Sequence, residues 1–351
     1  MPEPTDPSSP TQSNVPSEAP TTSISDQSAI EIDRDSENDS AYGDDLSTFT
    51  ASLTSTVFDY QYENGRRYHA YQEGKYIMPN DEQESDRLDM AHHMMVLRTD
   101  EKLHLAPIGK NPQTILDLGT GTGIWPIQMG DKYPSAQILG NDLSPEQPTI
   151  VPPNVKFEVD DIESEWTYPT PFDYIHVRYL ATAIADWPTL VKRCFQNVAP
   201  GGWVEFQDYD MQYYSEDGSL KPDAPTAKWI GLSIKAAYDN GRDPSPGPKL
   251  EGWGDGRRTS NWCVSCTLLL YGQTHMTKAI QPQKTVGAWN LLQILEGLEG
   301  FSLALFTRTL GWSLEEVQVL LAQVRKDLRD PAIHMQLDFH VVYARKPTED
   351  E

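Results

Sequence analysis

Asp117, Gly119, Gly121 and Gly123 are the residues whose types and spacing most directly suggest chemistry. They lie in the run Ile115-Leu116-Asp117-Leu118-Gly119-Thr120-Gly121-Thr122-Gly123-Ile124-Trp125, where an apolar stretch passes straight into glycines at alternate positions. That is the pattern of a buried parallel strand turning sharply into a helix over a bound nucleotide. Glycine lets the backbone approach a ligand where a Cβ would collide. The dinucleotide fingerprint asks for a further glycine where this chain has Ile124, so the loop reads as a nucleotide cradle that is not built for NAD. A carboxylate at the end of the strand repels a pyrophosphate and attracts an ammonium group, and Asp117 is assigned to a cationic tail on that ground.

Four further stretches must position this loop. Residues 137–142, Gln-Ile-Leu-Gly-Asn-Asp, read as a second strand ending in an acid about 20 residues after the glycines, the place where ribose hydroxyls are gripped in doubly wound folds. Asp142 is the ribose ligand on this reading. Residues 155–162 alternate with period two and end in the acids Asp160 and Asp161 before Ile162, while residues 172–178 and 201–207 read as the fourth and fifth strands. Together with Asp117-x-Gly119-x-Gly121-x-Gly123, this order resembles the class I S-adenosylmethionine-dependent methyltransferases, whose cofactor carries an amino acid and a sulfonium in place of phosphates. The resemblance implies an α/β Rossmann-like fold, a mostly parallel seven-stranded sheet with helices on both faces, and S-adenosyl-L-methionine as cofactor. It also implies that Asp161 meets the adenine amine and that Ile162 flanks the ring, which completes a cofactor-binding set of Asp117, Gly119, Gly121, Gly123, Asp142, Asp161 and Ile162.

Composition narrows the partners. The chain has 351 residues and a formal net charge of -24, which argues against gripping nucleic acid by its phosphates, since that mode needs clustered Lys and Arg. No apolar run approaches the roughly 20 residues needed to span a bilayer, and no signal-peptide core opens the chain, so a cytoplasmic or nuclear location is expected. The three cysteines supply no disulfide framework. Cys263 and Cys266 have the spacing of a redox pair or half a zinc site, but they lack a second ligand pair or a βαβ context and are read as incidental thiols. No ligand-spaced His or carboxylate set appears, so no metal is expected.

Residues 1–52 are rich in Ser, Thr, Pro, Asp and Glu, with Arg34 their only basic side chain, and read as a disordered acidic tail. Residues 53–110 form an N-terminal lid or helical segment. In it, Tyr62-Glu63-Asn64-Gly65-Arg66-Arg67-Tyr68-His69-Ala70-Tyr71 and Gly74-Lys75-Tyr76 precede Pro79-Asn80-Asp81-Glu82. Asp81 and Glu84 give a capping signal for a helix over residues 82–98, with Leu88, Ala91 and Met95 on one face. The rings before it suit either a lid over a ligand or an arm packed on the core. Residues 111–347 are assigned to the catalytic domain and 348–351 to a short tail. Within that domain, residues 227–238 read as a mixed helix and residues 289–298 as another, with Leu291, Leu292, Leu295 and Leu298 facing the core. Residues 313–330 give the clearest helix, with a Ser313/Glu316 capping box, a stripe of Val317, Leu320, Leu321, Val324 and Leu328, and Pro331 as a stop. Residues 339–344 are expected to insert antiparallel beside the fifth strand.

The Arg67-Tyr68-His69 and Pro79-Asn80-Asp81-Glu82 stretches, the glycine loop and the tract from Trp289-Asn290-Leu291-Leu292 to Arg308 are similar, more narrowly, to the filamentous-fungal methyltransferases related to the secondary-metabolism regulator LaeA. That resemblance implies tailoring of a small-molecule metabolite, methylation of a protein acceptor, or regulation of biosynthetic clusters. The alternative is a regulatory interaction protein that retains the fold with little catalysis, with protein partners of its own. Methyl transfer from a sulfonium is an in-line displacement that asks mainly for alignment and exclusion of water. His176, His69 and Asp208 are candidate bases by type and place, each with a purely structural alternative, and no catalytic base is assigned.

Residues 254–278 depart from the family pattern, with Gly254-Asp255-Gly256-Arg257-Arg258-Thr259-Ser260 where an aromatic-led helix is expected. We read this as a hypothesis of a shifted reading frame or missed intron. Sequencing the transcript across the stretch is expected to return different residues, and recovery of these same residues in frame would overturn it.

Overall fold

The computed structural model describes residues 58–72, 74, 76–254, 262–271, 281–348 and 350. The acidic tail of residues 1–52 and the side chains of Cys263 and Cys266 lie outside the described residues, as does much of the anomalous stretch 254–278.

A small hairpin comes first, β1 (Gln61–Glu63) and β2 (Arg66–Tyr68), joined by Asn64 and Gly65 at φ 50° and 79°. Two left-handed residues in a row make the tight turn whose twist suits a hairpin, and Asn-Gly supplies both at little steric cost. Helix α1 (Glu82–Arg98) follows, with the boundaries expected from its capping signal. The Asp81 carboxylate does two jobs there. It accepts the Glu84 N–H at 3.1 Å and receives the Arg66 fork at 2.5 and 2.7 Å, so the group that starts α1 also fixes the hairpin to it.

The chain then alternates strand and helix: β3 (Thr114–Leu118), α2 (Ile124–Lys132), β4 (Gln137–Asp142), β5 (Val155–Val159), β6 (Phe172–Arg178), α3 (Trp187–Asn197), β7 (Val198–Tyr209) and α4 (Pro225–Asp239). After short α5 (Leu250–Gly254) come β8 (Trp262–Tyr271), α6 (Gln281–Ala304), α7 (Leu314–Leu328) and β9 (Gln336–Arg345). The seven-stranded sheet has the order β5-β4-β3-β6-β7-β9-β8, with β9 antiparallel to both β7 and β8 and the other pairings parallel. The expected antiparallel insertion beside the fifth parallel strand is therefore present, and β8 takes the sheet edge beyond it. Chain order reverses at β3, which has β4 on one side and β6 on the other, so the loops at their carboxyl ends part to leave a crevice.

β3 and β6 lie at the centre of the sheet, and their Ile115, Leu116, Leu118, Ile175 and Val177 are buried on both faces, as central parallel strands require. Glu205 of β7 is a buried carboxylate that accepts the N–H groups of Leu105 and Ala106, the Tyr174 hydroxyl and the Gln207 amide. It ties the segment entering β3 to the sheet and leaves no buried donor there unpaired.

One expectation for the α6 region is corrected. Leu291, Ile294 and Leu298 face the core at helical spacing, Leu295 is half-buried, and Leu292 is 52% exposed. Leu292 lies one residue, about 100° of helical rotation, round from Leu291, and α6 uses the face that meets α1 and α4. Gly297 marks the closest approach to α1, because a Cβ there would collide with the Arg87 side chain.

Candidate functional site

A cavity of about 150 Å³ opens at the carboxyl ends of β3, β4 and β6, and both Asp117 and Asp142 line it. Asp142 Oδ2 accepts the Gly121 N–H at 2.8 Å and Oδ1 accepts the Ser144 N–H at 3.1 Å. Burial pushes its carboxyl up from the ordinary range, and the backbone donors pull the other way. Asp117 receives the Thr120 hydroxyl at 2.6 Å on one oxygen and His176 Nδ1 at 2.7 Å on the other.

The glycines divide by role. Gly119, Gly121 and Gly123 all have positive φ, at 65°, 57° and 78°. A Cβ on Gly119 would lie 2.5 Å from Leu180 and one on Gly123 2.5 Å from Phe157, whereas at Gly121 the nearest atom is Leu88 Cδ1 at an ordinary 3.4 Å. Gly119 and Gly121 line the cavity. Gly123 faces Phe157 of β5 and is glycine for packing and backbone conformation. Asp161 and Ile162 line the cavity on its far side, where Asp161 also accepts the Glu163 N–H at 2.9 Å and the Ser164 hydroxyl at 3.1 Å. Six of the seven expected cofactor positions thus meet in one cavity, Gly123 being the exception.

The three candidate bases separate in the same way. His176 is buried, stacked on Trp125 with ring centroids 3.9 Å apart, and lines the cavity, with no partner for Nε2 in the chain. His69 is buried and its Nε2 lies 3.2 Å from the Gln72 carbonyl. Asp208 accepts the N–H groups of Leu180, Ala181 and Tyr209, which makes it the anchor of the turn after β6. Burial pushes its carboxyl up to about 7.

Arg178 was not singled out in the sequence, although a cation ending a buried strand is a readable signal. Its Nη2 lies 2.7 Å from His92 Nδ1, and no carboxylate among the described residues forms an ion pair with it. Burial, reinforced by the Arg178 charge, pushes His92 down to about 3. The ring is therefore neutral near pH 7, with Nδ1 accepting from Arg178 and Nε2 donating to Gln128 Oε1 at 3.0 Å. The result is a buried guanidinium at the cavity wall whose charge no anion of the chain balances.

The hairpin closes one side. Arg67 Nη2 holds Glu146 Oε2 at 2.7 Å, Tyr60 donates to Glu146 Oε1 at 3.1 Å, and Asn80 Nδ2 donates to Ser144 at 3.2 Å. Tyr76, Pro79 and Asn80 line the cavity, while Tyr68 and His69 are buried as packing. The N-terminal block is at once arm and wall, and Asn64-Gly65 was the unread signal for its hairpin.

A protein-family profile described as a methyltransferase domain matches residues 90–233. Methyltransferase pytC of Aspergillus terreus is 41% identical over 319 residues, covering 91% of this chain and 96% of that protein. Secondary metabolism regulator LAE1 of Cochliobolus heterostrophus is 35% identical over 308 residues, 82% of this chain and 95% of that protein. The chain belongs to the LaeA-like class I S-adenosylmethionine-dependent methyltransferases. Another relative, probable methyltransferase tdiE of Emericella nidulans, is 33% identical over 265 residues, 75% of this chain and 82% of that protein. As a LaeA-like enzyme the chain is an S-adenosylmethionine-dependent methyltransferase of fungal secondary metabolism, with the Rossmann-like α/β fold. Among the described residues, no helix is long and apolar enough to cross a membrane and no cluster of His, Cys, Asp or Glu is arranged to hold a metal.

The His92–Arg178 contact predicts a pH dependence. With a folded pKa near 3 against about 6.5 unfolded, the stability tied to neutral His92 is complete above pH 6.5 and is lost as pH falls toward 3. Urea denaturation of wild type and His92→Gln between pH 7.5 and 4 should show wild type losing stability more steeply, by at most about 1.4 kcal/mol per pH unit. A difference between the two that does not change with pH would contradict this account.

Proposed function

We propose that this chain is a catalytically active methyltransferase that holds its donor in the β3–β4–β6 cavity, with Asp142 on the ribose, Asp161 and Ile162 about the adenine, and Asp117 with Arg178 about the amino-acid tail. One observation carries the reading: Asp117 and Asp142 open onto the same cavity, across which lies a guanidinium without a carboxylate partner. A zwitterionic amino acid needs both signs of charge within one site, and a ribose needs an acceptor for its hydroxyls. Gly121 supports the fit, since its positive φ admits glycine readily and its absent side chain leaves the cradle open beside Leu88.

S-adenosylmethionine, when bound, supplies an electrophilic methyl group whose bonding pair stays on sulfur as an acceptor lone pair closes on carbon. The protein's part is alignment and exclusion of water. The hairpin latch through Arg67 and Glu146 covers the ribose side, and the His176–Asp117–Thr120 chain fixes the carboxylate nearest the glycine loop. No residue is assigned as base, and any proton the acceptor carries passes to water. A second reading, control of biosynthetic clusters, rests on the relatives named as secondary metabolism regulators. Either role uses the same donor site.

Calorimetry tests the donor site. Wild type should bind S-adenosylhomocysteine, and Gly121→Arg should weaken it at least tenfold. Arg178→Met should weaken S-adenosylhomocysteine at least tenfold while leaving 5′-methylthioadenosine, which lacks the amino-acid tail, little changed. Absence of binding by folded wild type, or indifference to Gly121→Arg, would defeat the proposal.

A further inference from the structure

A second cavity of about 100 Å³ adjoins the donor cavity, and Tyr76, Leu88 and Tyr179 line both. Residues from five parts of the fold meet around it: α1, the turn after β6, the end of β7, α4 and α6. Its walls are largely apolar and aromatic, with Tyr209, Tyr213, Trp229, Ile230, Ile294 and Phe301 among them. Flat rings at several angles suit a flat guest, which they contact at little entropic cost.

The charge on these walls is cancelled. Arg87 is the single ionisable cation or acid among the described residues that line the cavity. Its Nε and Nη2 donate to both oxygens of buried Glu84 at 2.9 and 2.7 Å, and its Nη1 donates to Gln293 Oε1 at 3.0 Å. The guanidinium also lies 4.9 Å from the Phe301 ring centroid. Other polar groups are spent internally: Ser233 donates to the Trp229 carbonyl, and Gln293 donates to Asn290. A charged guest would lose its hydration here and find no opposite charge in return. A lysine or arginine side chain, in particular, meets no free carboxylate.

One polar atom is left over at the junction. The Tyr179 hydroxyl is buried with no hydrogen-bond partner in the chain, and its residue sits at φ 59°, a left-handed conformation that a bulky side chain adopts at a cost. The neighbouring turn is held from below by Asp208, which accepts the Leu180 and Ala181 N–H groups. The fold thus maintains a strained backbone that puts a phenol with an unused hydrogen bond between the two cavities.

We propose that the second cavity is the methyl-acceptor site, and that it takes a small, flat, uncharged molecule whose polar atom meets the Tyr179 hydroxyl at the boundary with the donor cavity. This rests on the donor-site reading above. It selects a small-molecule metabolite over a protein side chain as acceptor.

The test uses the full-length protein saturated with S-adenosylhomocysteine and 2-naphthol as a neutral flat probe, with 2-naphthoate and a lysine-rich peptide as charged competitors. Calorimetry should show saturable 2-naphthol binding at least tenfold tighter than 2-naphthoate, with no displacement by the peptide. Ile294→Trp, which fills the cavity, should weaken 2-naphthol at least tenfold while S-adenosylhomocysteine affinity stays within twofold. Ser233→Leu serves as the second filling variant should Ile294→Trp fail to fold. Tyr179→Phe should weaken 2-naphthol severalfold and leave naphthalene unchanged. Binding of 2-naphthol that neither filling variant alters, equal affinity for 2-naphthoate, or displacement by the peptide would overturn the assignment. Failure of S-adenosylhomocysteine itself to bind would instead strike the donor-site reading.

Discussion

The hydrogen bond from the Gly121 N–H to the Asp142 carboxylate is the contact on which the rest of the site depends. It joins the glycine loop after β3 to the tip of β4, and it forms only because neighbouring parallel strands end at the same level with their chain order reversing at β3. The same reversal brings β6 to the other side of β3, where His176 reaches Asp117. A left-handed backbone at Gly121 and tight packing at Gly119 and Gly123 hold the loop in the one shape that makes the bond. Sheet topology, glycine placement and a buried acid are three expressions of that constraint.

Around this centre the chain spends buried charge in two different ways. Arg87 and Glu84 neutralise each other and hold α1 against α6 through Gln293, which leaves the cavity beside them electrically quiet. Arg178 has neutral His92 in place of a carboxylate, so its charge remains uncompensated at the donor cavity wall. One helix, α1, contributes to both arrangements through Arg87 and His92, and its start is fixed by Asp81, which also anchors the hairpin. Positioning of the lid side, the donor side and the proposed acceptor side therefore all pass through a helix that precedes the Rossmann-like core.

Local signals were the legible ones. Apolar runs ending in glycines or acids marked β3, β4 and β6, and the Asp81 and Ser313 caps marked the starts of α1 and α7, because each depends on residues within a few positions of one another. The donor cavity was foreseeable in outline for the same reason. Residue-level roles that depend on distant partners were not. Gly123 is set by Phe157 from another strand, Arg178 by His92 from 86 positions away, and Leu292 by which face α6 turns toward its neighbours. The second cavity, drawn from five separate parts of the chain, leaves no periodic trace in the sequence at all.

The most direct measurement is a crystal structure of the protein with S-adenosylhomocysteine. The account predicts ribose hydroxyls within hydrogen-bonding distance of Asp142, the adenine against Ile162, and the amino-acid carboxylate toward Arg178, with the Gly121–Asp142 bond kept. An adenosine moiety lodged in the cavity between Trp229 and Ile294, or a ribose that makes no contact with Asp142, would contradict it.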